Sequence, residues 1–249
     1  VWQNPGLRLA RGSFKSEKQG NNLVVTADYE MRLLEAILHM TYTVTPDGQL
    51  IVSQRLQANV KFEEASQGEG RRRADGQFTA IQPLKEKPNL FRFGMQLVMP
   101  QEFANVDYYG KGPGECYADR DNDQTVAHYR QTVSEQFFPY IRPQENGNHT
   151  AVRYWRVLDK AGKGLEFYGT EALNATALNY LQSDLDGGID KDRSQMHSGD
   201  LTERPFTVVS IDKCQFGLGC VNSWGAWPRA EYQLPYGDYD YTYVVRPVR

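Results

Sequence analysis

The sequence predicts an all-β fold, one large many-stranded β-sandwich, on three observations. Period-two alternation of apolar and polar residues dominates the chain, an Asp-Gly pair joins two of its longest alternating runs, and convincing helical periodicity is hard to find.

Leu23 to Tyr29 reads as the first clear strand. Met31 to Met40 has the Leu, Glu and Ala content of a helix, yet it runs straight into Thr41-Tyr-Thr-Val44, so it too is expected to be strand. Ala36, Leu38, Met40, Tyr42 and Val44 share one face. Beyond Pro46-Asp-Gly48 the alternation resumes at Leu50, Val52, Leu56, Ala58, Val60 and Phe62, which makes a long β-hairpin. Leu90 to Met99, just after Pro88, is a further strand. Tyr239, Tyr241, Tyr243 and Val245 alternate with Asp238, Asp240 and Thr242 in a half-buried last one. Loops are expected at Glu64 to Phe78, Gly110 to Gly114 and Asp184 to Asp200, where Gly, Asp and Ser are abundant; the last is long enough to point to function or mobility. No internal repeat and no Pro-rich linker divides the chain, so residues 1–249 are read as a single domain.

A chain of 249 residues buries a sizeable core without a metal or a disulfide, and 24% charged with 40% hydrophobic residues is an ordinary globular mix. The net charge of -3 and the confinement of the one basic run, Arg71-Arg-Arg73, to a Gly-rich stretch beside Glu63, Glu64 and Glu69 argue against nucleic acid; the run reads as a solvated loop. Cys116, Cys214 and Cys220 are odd in number and read as free thiols. No stretch approaches the ~20 apolar residues of a membrane span. A start at Val1-Trp2-Gln3 without signal-peptide character reads as an excised fragment.

Most chemical motifs fail on their own terms. Asp119-Arg-Asp-Asn-Asp123 resembles a calcium loop, but Gln124 and Arg130 stand where the turn glycine and closing glutamate belong, so a solvated acidic turn or salt-bridge site is expected. Asp184, Asp186, Asp190 and Asp192 fail the same test. His39, His128, His149 and His197 lack zinc spacing, and no metal site is expected. Paired carboxylates are the obvious route to glycoside cleavage. Glu115 and Glu145 qualify by type, but each adjoins turn residues, where carboxylates commonly cap backbone N–H groups, and structural roles are expected for both. Trp224 and Trp227 lie in a Gly-, Ser- and Pro-punctuated segment, where an indole can offer its face to the apolar side of a sugar ring or pack as core, and composition alone weighs the two readings equally.

Three ordered segments carry a resemblance. Tyr108-Tyr-Gly-Lys-Gly-Pro-Gly-Glu-Cys-Tyr-Ala-Asp-Arg120 resembles the Tyr-Gly-Arg-Gly-Pro-x-Glu-x-Tyr-x-Asp-Arg signature of the C-terminal domain of family 2 β-galactosidases. Pro139-Tyr140 with Pro143-Gln-Glu-Asn-Gly147, and Gly217-Leu-Gly219 through Ser223-Trp-Gly225, are similar to two later segments of that domain. Lys111, Gly114 and Phe216 depart from the usual residues. The motifs cover the last two thirds of the chain; the first third matches by strand pattern.

The resemblance implies a supersandwich of the galactose-mutarotase-like type, and a parent enzyme that hydrolyses terminal β-galactosides with retention. Its two catalytic glutamates would lie on a separate (β/α)8 barrel, so this chain would carry no catalytic residue. By position, Trp224 is the substrate-binding residue lent to the rim of the galactoside pocket. The implied partners are a β-galactoside and the barrel of the same parent chain, with a homo-oligomer allowed for the parent. No cofactor is implied here; a divalent or monovalent cation belongs, if anywhere, to the barrel. Two alternatives share the fold: a stand-alone carbohydrate-binding domain, and an aldose mutarotase using His149, His197 and Glu145 as acid and base.

Overall fold

The turn at Asp47-Gly48 joins two antiparallel strands, β4 (Ala36–Val44) and β5 (Leu50–Gln57), in the register Val44↔Leu50 to Ile37↔Gln57. The structure is a computed structural model that describes residues 5–62, 70–72, 78–80, 83–187, 197–219, 222 and 225–249, with backbone alone at 70–72 and 78–80. It is nearly all sheet. Among the described residues helix is limited to one α-helical turn, Gln182–Leu185, and short 3-10 segments, and no helix is long and apolar enough to cross a membrane.

By internal packing the chain divides into two units, Val1–Phe91 with Leu234–Thr242, and Arg92–Gln233 with Tyr243–Arg249. In the first, β1 (Arg8–Leu9) and β2 (Lys15–Gln19) both pair with β3 (Asn22–Met31), which pairs with β4. β5 neighbours the last strand of the chain, whose Tyr239–Thr242 stretch belongs to this unit. The continuous strand expected over Met31 to Met40 is instead interrupted: a 3-10 turn at Arg32–Leu34 ends in the left-handed Glu35 (φ 52), and β4 starts after it. Burying Leu34 completely and pairing Glu35 with Lys61 and Lys87 explains why the chain turns there. Part of the expected loop at Glu64 to Phe78 is strand: β6 (Gly70–Arg72), with Arg71 in it, pairs with β7 (Phe78–Ala80).

The second unit is a sandwich of two antiparallel sheets. One runs from the last strand through β13 (Gly164–Gly169), β12 (Tyr154–Leu158) and β9 (Asn105–Gly112) to β10 (Thr125–Thr132). The other has the order β11 (His149–Val152), β14 (Leu173–Leu178), β15 (Phe206–Gln215), β8 (Arg92–Pro100). β11 lies against β9, and β12 against β14. Alternation decides which side chains enter the space between the sheets: Val106 and Tyr108 of β9, Trp155 and Val157 of β12 and Phe167 of β13 point inward and are almost fully buried. Ala175, Ala177, Val209 and Ile211 close the core from the facing sheet. β16 (Tyr239–Val248) extends the predicted last strand and buries Tyr241 and Tyr243. Gly110–Gly112, expected as loop, are the last residues of β9 and pair with Val126 and its neighbours, because a Cβ would collide with Val152 of β11 at Gly110 and with Tyr108 and Tyr129 at Gly112.

The outward face of the first sheet carries charges in register. Arg130, Asp107, Arg156, Glu166 and Arg246 stand directly opposite one another on five successive strands. The ion pairs follow that order: Arg130 to Asp107 at 2.9 Å, Arg156 to Asp107 at 3.8 Å and to Glu166 at 2.5 Å, and Arg246 to Glu166 at 2.6 Å.

Candidate functional site

The signature glutamate is a hub for backbone and side-chain donors. Glu115, its side chain 7% exposed, accepts the Gly147 N–H at 2.8 Å, the Arg120 guanidinium at 2.5 Å and the Tyr140 hydroxyl. Those partners come from its own segment and from the Pro139 to Gly147 segment, so one carboxylate ties two motifs together. Asn146 braces the second segment internally by accepting the Phe138 N–H at 2.8 Å and donating to the Phe138 carbonyl at 2.6 Å. Asn148 and Cys116 exchange two bonds, Cys116 N–H to Asn148 O and Asn148 Nδ2 to Cys116 O. A carboxylate holding this many donors is committed to structure.

Asp119 makes the second join. Its two oxygens accept the N–H groups of Leu218 (3.0 Å) and Gly219 (2.7 Å), from the third motif. Asp121, two residues on, pairs with Lys111 at 2.6 Å. The acidic run is therefore a set of loop anchors and salt bridges. Among the described residues, no group of three or more His, Cys, Asp or Glu converges as a metal site.

Glu145 enters a different network. Arg92 reaches it at 3.0 Å and Asp212 at 3.5 Å, placing one guanidinium between two carboxylates. Burial pushes both carboxyls above their ordinary values, and Arg92 offsets this only in part. Ser210 accepts bonds from Arg92 and Gln96, and with Thr176, Gln182 and Leu185 these residues line a small cavity of ≈ 10 Å³. That is room for about one water-sized group, far too little for a sugar.

His149 is buried against Tyr108 and Trp155, with ring centroids 4.7 Å and 5.5 Å away. Its Nδ1 lies 3.0 Å from the Lys111 carbonyl, and burial lowers its pKa to about 4. It is thus a neutral core histidine. The structure does not bring His149, His197 and Glu145 together: the bonds of His149 go to Lys111 and Tyr108, His197 starts a 3-10 turn, and the ion pair of Glu145 goes to Arg92. Cys116 and Cys214 are free, each with a thiol pKa raised by burial, and Cys220 lies outside the described residues.

Trp224 also lies outside the described residues, as do Asp190 and Asp192. Trp227 is 62% exposed and meets Phe216 edge-on, with ring centroids 5.5 Å apart, and Gln233 donates to the Pro228 carbonyl at 2.7 Å. Sequence reasoning missed the anchoring of this segment by Asp119. The signal for it was the Gly217-x-Gly219 pair, which marks a close approach of another group to backbone.

Three motifs thus meet through two carboxylates, Glu115 reaching 32 residues along the chain and Asp119 about a hundred. The family described as "Beta galactosidase small chain" matches residues 1–245. The chain belongs to that family. A β-galactosidase of Halalkalibacterium halodurans is 26% identical over 98% of this chain and 21% of its own length. One of Lactobacillus delbrueckii subsp. bulgaricus is 29% identical over 94% of this chain and 20% of its own length, and one of Streptococcus thermophilus 31% over 65% and 15%. This family member therefore spans about a fifth of the length of the relatives it matches. A GalM/aldose epimerase homologue from C. elegans aligns with 95% of this chain and 68% of its own at 11% identity and a TM-score of 0.39, too loose a likeness to carry an argument.

Proposed function

We propose that this chain is the C-terminal, non-catalytic part of a family 2 β-galactosidase, with the supersandwich fold that its motifs imply, and that it completes the galactoside site by presenting Trp224. The observation that carries this reading is the family match over residues 1–245 together with coverage of only a fifth of relatives named β-galactosidase. The commitment of Glu115 to Gly147, Arg120 and Tyr140, and of Glu145 to Arg92, supports a chain without catalytic carboxylates.

In the intact enzyme, a glutamate nucleophile on a (β/α)8 barrel forms a galactosyl-enzyme and a second glutamate acts first as acid, then as base, giving retention. Any cation belongs to that barrel. Trp224 stacks on the apolar face of the sugar or its leaving group and contributes binding, about 1 to 3 kcal/mol by analogy with other aromatic platforms. Trp224→Ala in the intact enzyme is therefore expected to raise KM for several galactosides with a smaller change in kcat. Unchanged Michaelis constants would remove Trp224 from the site. The chain alone is expected to show no turnover of a nitrophenyl β-galactoside, and turnover above the buffer blank would overturn its non-catalytic role.

A further inference from the structure

The anchoring of the third motif has a geometry that packing alone does not require. Asp119 sits in a tight turn closed by two backbone bonds, Tyr117 N–H to Arg120 O at 3.0 Å and Arg120 N–H to Tyr117 O at 2.8 Å. Arg120, next in the chain, is itself held by Glu115 and Tyr140, so the turn is fixed to the second motif. From this base each carboxylate oxygen takes one of two consecutive amides, Leu218 N–H on Oδ1 and Gly219 N–H on Oδ2. Two successive N–H groups aimed at one anion make a concave backbone site that neutral acceptors fill less well.

The glycines on either side show how tightly the site is built. A Cβ on Gly217 would stand 2.7 Å from both Cγ and Oδ2 of Asp119, and the Gly217 N–H is already bonded to the Tyr232 carbonyl at 2.8 Å. Gly219 is left-handed (φ +72), and its Cβ would stand 2.7 Å from the Ala226 carbonyl oxygen and 3.3 Å from the Pro228 nitrogen. The two sides of the stem thus close on each other at the point Asp119 holds. Trp224 lies between them in sequence, five residues after Gly219 and two before Ala226.

We infer that Asp119 is a positioning residue for galactoside binding, acting by fixing the stem from which Trp224 is presented. The inference rests on the reading of Trp224 as the residue that meets the sugar. Asparagine keeps the size of Asp119 but replaces one acceptor oxygen by a donor, so it keeps one of the two amide bonds and faces the other N–H with an NH2 group.

The test is a double-mutant cycle in the intact enzyme: wild type, Asp119→Asn, Trp224→Ala and both together, with kcat and KM for lactose and a nitrophenyl galactoside. Trp224→Ala is expected to raise KM roughly 5- to 150-fold, the equivalent of the stacking contribution. Asp119→Asn should raise KM at least about fivefold with kcat within about threefold, and it should add less than about twofold once Trp224 is gone. Gly217→Ala pushes on the same carboxylate from the other side and should reproduce the KM rise; it decides the matter if Asp119→Asn fails to fold. If Trp224→Ala raises KM while Asp119→Asn and Gly217→Ala leave it within twofold, the positioning role is wrong and the reading of Trp224 stands. If the two single effects multiply in the double variant, Asp119 acts on the fold at large and the inference is overturned. An unchanged KM in Trp224→Ala removes the reading on which both rest.

Discussion

Two regions of the second unit use carboxylates in opposite ways. On the outer sheet face, Asp107 and Glu166 meet cations on neighbouring strands, in a ladder whose register the backbone dictates. In the motif region, Glu115 and Asp119 also take backbone N–H groups, from loops 32 and about 100 residues away. The ladder reinforces an order that strand pairing has already set. The motif carboxylates create an order that nothing local would impose, since irregular loops have no pairing rule of their own.

Acid should separate the regions first. His149 lies under the motif strand and is neutral when folded, with a pKa lowered to about 4 by burial. The unfolded chain takes up that proton near pH 6.5, so stability is lost as pH falls from about 6.5 towards 4, by about 3 kcal/mol in all. Urea unfolding across that range should show wild type losing this much more than His149→Gln, and parallel profiles would refute the assignment. Asp107 behaves differently. Burial raises its pKa, but hydrogen bonds from His128 and Arg130 outweigh burial and lower it, so its contribution is present above the ordinary carboxylate range and lost only as pH falls below it.

Next in size is Glu166→Gln. Its side chain is 4% exposed and serves two arginines, but both arginines reach water, so the loss should be about 2 to 3 kcal/mol, at the lower end of broken buried pairs. Amide exchange at Gly147 should be untouched. Glu115→Gln should cost less, about 1 to 2 kcal/mol, yet speed exchange of the Gly147 amide at least tenfold, because that N–H loses a charged acceptor. Equal Gly147 exchange in the two variants would erase the distinction between ladder and motif. Smallest is Arg130→Ala at the ladder's 77% exposed rim, expected to shift stability by less than about 1 kcal/mol; a larger loss in urea unfolding would show that the ladder acts as one network.

These differences mark how much was legible beforehand. Alternation located the hairpin of Ala36–Val44 with Leu50–Gln57, the strand near Leu90 to Met99 and the final strand, because a half-buried sheet repeats every two residues. It failed at Arg32–Leu34, where helix-like composition and strand pattern overlap and burial of Leu34 decides for a turn. It also failed at Gly110–Gly112, where glycines read as loop but serve close approaches within a strand, of Gly110 to Val152 and of Gly112 to Tyr108 and Tyr129. The role expected for Glu115 was of the right kind, a carboxylate on backbone N–H, but its partner was not readable.

What the sequence alone determined is the all-β class and, through three ordered motifs, the family, since both depend on local pattern and on residue order. What only the tertiary structure decided is which groups meet: Glu115 with Gly147, Asp119 with Leu218 and Gly219, Glu145 with Arg92. The physical reason is that a hydrogen bond depends on distances of about 3 Å between atoms, and between residues 30 to 100 positions apart those distances are set by the packing of two whole sheets.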